Sequence, residues 1–310
     1  MPVSPRLIRR RIKSITNTRK ITKAMELVAA AKMRKAIASV LATRPYADAA
    51  WRAVEEIAKR ADAAAHPLLR QKNAAGRTLL ILFTSDRGLC GGINSRMTKK
   101  VLEFLRGRDP RQVDFAAIGK KGQQMLSRRG LNLTAGFSNP AHNPRLTEIF
   151  PVAKLAMNEF IAGTYGSVHL AFTDYRSSLV QEPLVRQLLP LAQRAGELGA
   201  IGDALAAQPG EHSGGEAFKI AAAGGEYLFE PSPEAVLNTM LPRLVETQIY
   251  QALLESLASE HSARMLAMRS ASDSANDMIS LFTLMLNQAR QAGITMEIAE
   301  ISSGKAALEQ

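Results

Sequence analysis

Near the start of the chain, apolar residues recur at i, i+4 and i+7: Ile8, Ile12 and Ile15, then Ile21, Met25 and Val28, then Met33, Ile37 and Val40. That is a narrow stripe, closer to a coiled-coil seam than to the broad apolar face of a globular helix. Ser4 followed by Pro5 reads as an N-cap with proline in the first helical position. No glycine appears before Gly76, and no proline between Pro5 and Pro45. A helix running to about Arg60 would span on the order of 80 Å at 1.5 Å per residue, with Pro45 a candidate kink. The far end of the chain repeats the pattern. Ser232-Pro233-Glu234 is a second start signal, with an acid where the helix dipole favours it. Pro242 is a candidate bend. Triplets then recur at Val245, Ile249 and Ala252, at Met278, Phe282 and Met285, and at Ile294, Ile298 and Ile301.

Between these helices the periodicity changes. The stretches 77–84, 113–119, 131–137 and 167–177 read as strands, and 94–105, 120–129 and 147–163 as helices, with Thr147 a cap for the last. Their alternation predicts a mostly parallel sheet covered by helices. Residues 179–190 read as an edge strand, because Pro183 removes a ladder donor. From residue 191 to 226 Gly, Ala, Gln and Glu dominate, the composition of a long excursion. The pattern thus predicts an α/β fold. It has an N-terminal coiled-coil helix (1–60), a central α/β domain with a mostly parallel sheet (76–190), an extended Gly/Ala-rich loop region (191–230) and a C-terminal coiled-coil helix (231–310). Each long helix alone would leave its stripe wet, so the two are expected to pair as a long antiparallel, or obliquely wound, left-handed coiled coil. A helical repeat array is disfavoured, since no period of about 20–50 residues recurs.

Composition agrees: 46% hydrophobic and 22% charged residues in a chain of 310 is the balance of a folded protein. No apolar run approaches the roughly 20 residues a membrane-spanning helix needs, and no secretory signal is expected. A single cysteine cannot close an internal disulfide, which suits a reducing compartment. The net charge of +12 is concentrated: residues 1–35 carry eleven Lys and Arg against Glu26 alone, and the remaining 29 basic and 27 acidic residues nearly balance. Such a basic helix suits nucleic acid, an acidic protein partner or an anionic membrane rim.

Candidate chemistry is sparse. Gly88, Gly91 and Gly92, between a strand and a helix, sit where an anion could bind, but their spacing matches neither phosphate-binding glycine pattern. They read instead as a tight turn. Cys90 beside them lacks the signature of a nucleophile and reads as a small buried hydrophobe. His66, His142, His169, His212 and His261 are scattered without metal-ligand spacing. Asp86, Asp174 and Glu182 form no constellation that the sequence announces.

Four segments in order, "ITKAMELVAAAKMRKA" (21–36), "RGLCGG" (87–92), "ARMLAMRSASDSANDMI" (263–279) and "QAGITMEIAEIS" (291–302), resemble the gamma subunit of the F-type rotary ATP synthase, across nearly the whole chain. The resemblance implies a rotor shaft with no catalytic site, metal or cofactor of its own, coupling proton-driven rotation of a membrane c-ring to sequential changes at catalytic beta subunits. Implied partners are alpha and beta subunits, three of each, an epsilon subunit and the c-ring. The implied location is the cytoplasmic face of the cell membrane, the inner one where there are two. By matching motifs it implies beta-subunit contacts at Lys23, Met25, Arg264, Gln291 and Thr295. It further implies a ring and epsilon contact at Tyr227 and Glu230, and a shaft tip at Ile294, Ile298 and Ile301. The sequence departs from the family at residues 191–226, which are longer and richer in Gly and Ala, and at Lys305 and Glu309, where an apolar tip is expected. The paired cysteines of the redox-regulated chloroplast form are absent, so no thiol switch is expected.

If the last triplet lies in the seam, Ile298→Ala should cost about 2–5 kcal/mol. The rotor reading also predicts only weak, sequence-independent binding of duplex DNA or RNA by the isolated chain. Tight binding that falls steeply with salt would favour the alternative, a basic coiled-coil nucleic-acid-binding protein.

Overall fold

The computed structural model describes residues 4–60, 66–70, 76–138, 144–191, 230 and 232–308. Helix α1 spans Pro5–Arg60 and runs through Pro45. Strand β1 (Arg77–Phe83), helix α2 (Ile93–Leu105), strand β2 (Val113–Ile118), helix α3 (Lys120–Arg128) and strand β3 (Leu133–Phe137) follow. Then come helix α4 (Phe150–Ala162), strand β4 (Tyr165–Tyr175), strand β5 (Gln181–Leu189) and helix α5 (Pro233–Leu308), which runs through Pro242. Thr147 lies inside a short 3-10 turn, Leu146–Ile149, rather than capping α4. Pro151 occupies the first turn of α4, where its missing N–H costs nothing.

The chain forms two compact units, Ala30–Ala263 and the paired ends Met1–Ala29 with Arg264–Gln310. In the larger unit the strand order is β3-β2-β1-β4-β5. β1 pairs in parallel with β2 and β4, and β2 with β3, while β5 runs antiparallel to β4. Pro183 sits opposite Thr173 in β5, the edge strand, where a missing donor is tolerated.

Alternation along the strands sends side chains to two cores. Leu80 and Leu82 of β1 and Phe115 of β2 pack with Met97 and Val101 of α2 and Leu126 of α3. Leu79, Ile81 and Phe83, with Leu170 and Phe172 of β4, pack with α4, with Val40, Val54 and Ile57 of α1, and with α5. The narrow stripe expected around Val245, Ile249 and Ala252 is overturned here. From Leu244 to Ala263 every residue but Tyr250 is buried, Glu246, Glu255, Glu260 and His261 included. A helix buried all round needs partners for its polar groups as well as its apolar ones.

Gly119 links β2 to α3 with φ +104°, and a Cβ there would stand 2.1 Å from the Thr84 carbonyl oxygen. Gly119→Ala is therefore expected to cost about 2–5 kcal/mol, read as a lower urea midpoint. Gly130→Ala, which meets open space, should cost less than half as much.

Candidate functional site

The paired ends have a seam of their own. Continuing the spacing of Ile8, Ile12 and Ile15 in alternate steps of three and four reaches Arg19, Thr22, Glu26 and Ala29. Each of these residues is buried or half-buried. On α5 the same rhythm gives Met268, Ser272, Ala275, Ile279, Phe282, Leu286 and Ala289, again buried or half-buried. A strict seven-residue repeat on both helices is the geometry of a left-handed coiled coil. The register is fixed by side chains. Thr22 Oγ1 and Ser272 Oγ share a buried hydrogen bond of 2.7 Å, Arg19 donates to Asn276 Oδ1 at 2.7 Å, and the Arg11 guanidinium lies 5.8 Å from the centre of the Phe282 ring. As the α1 number rises the α5 number falls, so the pairing is antiparallel.

Several expected seam positions lie elsewhere. Ile21 is 61% and Val28 56% exposed, because the heptad places their neighbours Thr22 and Ala29 inside. Met278 and Met285 are likewise exposed and Phe282 takes the seam. Extending the register from Arg11 and Phe282 brings the start of α1 opposite the stretch from Gln288 to Arg290. Beyond it α5 has no helical mate among the described residues. Ile294, Ile298 and Ile301 are accordingly 49%, 62% and 73% exposed, which overturns their placement in the seam.

The residues singled out by resemblance form a line rather than a cluster. Lys23 is exposed and ion-paired with Glu26 at 3.0 Å, and Met25 is half-buried. Arg264, also half-buried, begins the α5 half of this unit. Gln291 and Thr295 are exposed one turn apart, with Thr295 Oγ1 donating to the Gln291 carbonyl at 3.0 Å. Arg264 and Gln291 are on the order of 40 Å apart along the helix at 1.5 Å per residue. A surface of this length can meet several partner segments; it cannot converge on one reacting atom. Around it Arg6, Arg9, Arg10, Arg11, Lys13 and Lys20 are exposed. Glu230 is exposed, and Tyr227 lies outside the described residues.

The glycine loop in the larger unit is a structural corner. Gly91 has φ +58° and Leu89 φ +61°, a conformation glycine adopts freely and leucine rarely. Cys90 is buried against Ile93 and Ala263. Its sulfur meets Asn94 Nδ2 at 3.4 Å, Ser85 Oγ at 3.7 Å and the Arg87 carbonyl at 3.8 Å, none of which is a base. Asn94 Nδ2 also donates to Ser85 Oγ at 2.7 Å, tying the first turn of α2 to the end of β1. The cavity beside them, bordered by Ser85, Asn94, Thr173, Ser256 and Glu260, holds about 10 Å³. That is room for one water, not for a nucleotide.

The histidines do not converge. His66 bonds Asn238 at 3.1 Å, and burial holds its pKa below the usual value. His169 packs on Phe104, with ring centres 5.1 Å apart. Burial, helped by Arg108, lowers its pKa to about 4 and keeps it neutral. His261 is buried in α5, and His142 and His212 lie outside the described residues. Among the described residues no three His, Cys, Asp or Glu stand together as a metal site, and no helix is long and apolar enough to cross a membrane. The sequence reading missed the Thr22–Ser272 bond; extending the Ile8–Ile12–Ile15 rhythm without regard to hydrophobicity would have found it.

Comparisons with known proteins point one way. A family model described as ATP synthase matches residues 4–308. An ATP synthase gamma chain of Herpetosiphon aurantiacus is 43% identical, covering 99% of both chains. One of Heliobacterium modesticaldum is 41% identical, over 97% of this chain and 98% of that one. Among solved structures, a chain of the central stalk and c-ring of the Tetrahymena thermophila mitochondrial ATP synthase aligns with TM-score 0.56 at 25% identity, over 81% of this chain and 99% of that one. A chain of the Euglena gracilis mitochondrial enzyme, at 17% identity, shares the fold with TM-score 0.62 over 98% of this chain and 94% of that one.

Thr22 Oγ1 also donates to the Arg19 carbonyl at 3.0 Å, so removing Thr22 leaves the buried Ser272 hydroxyl without this partner, whereas removing Ser272 leaves Thr22 its Arg19 bond. Thr22→Ala is therefore expected to cost about 1–3 kcal/mol and Ser272→Ala about 0.5–1.5 kcal/mol. Their double mutant should cost less than the sum, by about 0.5–1.5 kcal/mol, in urea unfolding. Ile298→Ala should change stability by less than about 0.5 kcal/mol, as for an exposed side chain.

Proposed function

The chain belongs to the ATP synthase gamma-chain family, and from that premise we propose how its surfaces divide the work of a rotor. It is a non-catalytic subunit of the central stalk, part of a membrane-associated complex. The antiparallel heptad seam is the observation that carries the mechanism. Two helices paired along a heptad seam and joined by a buried hydrogen bond resist slipping past each other, as a shaft under torque must. Their cross-section is unequal, one helix crowded with Lys and Arg and the other not, so rotation presents a different face to each neighbour in turn.

In this reading residues 1–60 and 231–310 supply the shaft and 76–190 the α/β domain near the membrane; the loop region 191–230 lies, but for Leu191 and Glu230, outside the described residues. The shaft stands within a ring of three alpha and three beta subunits. Lys23, Met25, Arg264, Gln291 and Thr295 meet beta-subunit loops at successive heights. Exposed surface charges are individually worth about 0–1 kcal/mol, a weakness that suits contacts made and broken at every turn. Ile294, Ile298 and Ile301, exposed in the single chain, form a greasy tip that turns in an uncharged collar. Tyr227 and Glu230 stand at the foot, toward the epsilon subunit and the c-ring, on the cytoplasmic face of the membrane (the inner one, where there are two). Nothing in the fold or among the relatives favours the nucleic-acid alternative.

Arg264→Glu tests the contact nearest the base of the coiled coil. ATP turnover by the assembled complex should fall roughly tenfold, about 1.4 kcal/mol in the barrier, while the isolated chain melts within a few degrees of wild type. Unchanged turnover would remove Arg264 from the coupling surface. Measurable ATP turnover by the isolated chain would overturn the non-catalytic role itself.

A further inference from the structure

Two buried acids stand where α5 packs on the end of β4, in the larger unit, each beside a residue of the Thr173–Ser256 hydrogen bond that joins the two elements. Glu255 of α5 is 2% exposed and Asp174 of β4 is 0% exposed. Arg176, just after β4, sets Nε 2.8 Å from Asp174 Oδ2 and 3.7 Å from Glu182 Oε2 of β5. Its charge is thus divided between the buried acid and an exposed one. Glu255 Oε2 has no hydrogen-bond partner among the described residues. The charged groups acting on Glu255 are Asp174 from β4, Arg176 beyond it and Arg186 from β5. From α1 comes Met33, whose sulfur accepts a contact from the Tyr175 hydroxyl at 3.8 Å. On α5 itself the next buried ionisable residues are Glu260 and His261.

Two ionised carboxylates are both acceptors, and neither can satisfy the other without a proton between them. The surrounding contact is neutral. The Thr173 N–H donates to Ser256 Oγ at 3.3 Å, Ser259 Oγ donates to the Thr173 carbonyl at 3.1 Å, and Ser262 Oγ donates to the Ser178 carbonyl at 2.7 Å. These serines recur every three residues and fasten one stripe of α5 to the end of β4. Glu255 adjoins Ser256 on α5, as Asp174 adjoins Thr173 on β4.

We propose that Glu255 and Asp174 share a single proton, and that this proton latches α5 to the end of β4 and is released at alkaline pH. Burial first, and then the charge of Asp174, push the Glu255 carboxyl up to about 8, with Arg186 and Arg176 opposing. Against an unfolded value of 4.5, the folded chain holds the proton more tightly. The stability it contributes is complete below about 4.5 and is lost as pH rises through about 8. Because α5 is also the helix assigned above to carry rotation, a reading on which this functional consequence rests, the latch sets how firmly the sheet holds that helix within the larger unit.

The test needs only the isolated full-length chain, so its outcome is separate from that of the rotor reading. A carbon-13 carboxyl titration of the wild-type chain should show one side-chain carboxyl with a midpoint above pH 7, missing in Glu255→Gln. Between pH 6.5 and pH 9 the wild-type urea midpoint should fall at least twice as far as that of Glu255→Gln. If every carboxyl titrates below pH 6 the shared proton does not exist, and equal slopes would show that it latches nothing. Should Glu255→Gln fail to fold, the wild-type titration decides alone.

Discussion

A stripe that repeats every three and a half residues cannot be buried against a flat sheet; it needs another helix with the same repeat. That requirement governs the molecule. It takes the first and last parts of the chain, which have little else to bury, and makes each the other's core. The rest of the architecture adapts to it. Helices α1 and α5 both extend from the paired ends into the larger unit, where their apolar surfaces join those of the sheet and α4.

The seam itself is thin. Thr22, Ala29, Ser272 and Ala275 occupy buried positions where a coiled coil built for stability alone would carry Leu or Ile. Small residues let two backbones approach closely, and the buried Thr22–Ser272 bond specifies one register, since a slip by one turn would break it. The larger apolar residues stand outside instead: Ile21, Leu27, Leu281 and Leu284 are each at least 50% exposed. Spread along two helices, they suit the partner contacts proposed for the shaft.

The fold class, the succession of strands and helices along the chain and the edge position of β5 were readable, because Pro183, the short apolar runs and the glycine punctuation each have one local meaning. The seam was half readable. Its period was visible in Ile8, Ile12 and Ile15, yet hydrophobicity alone drew the eye to Ile21 and Val28, one position off. The burial of Glu246, Glu255 and Glu260 was not readable at all, since it depends on α1 and the sheet closing on α5 from separate parts of the chain. The contact residues rest on motif likeness, because a surface that acts only when partners surround it leaves no buried group or strained backbone to mark it.

Joining the two ends covalently shows whether they turn as one paired body. Thr22→Cys with Ser272→Cys replaces two hydroxyls 2.7 Å apart, so mild oxidation should close an internal disulfide in high yield. Ile21→Cys with Ser272→Cys should not. The oxidised complex should keep its ATP turnover, since tying the strands of a shaft together does not stop it turning. Failure of the 22–272 pair to bridge, or loss of turnover when it does, would contradict a single paired body.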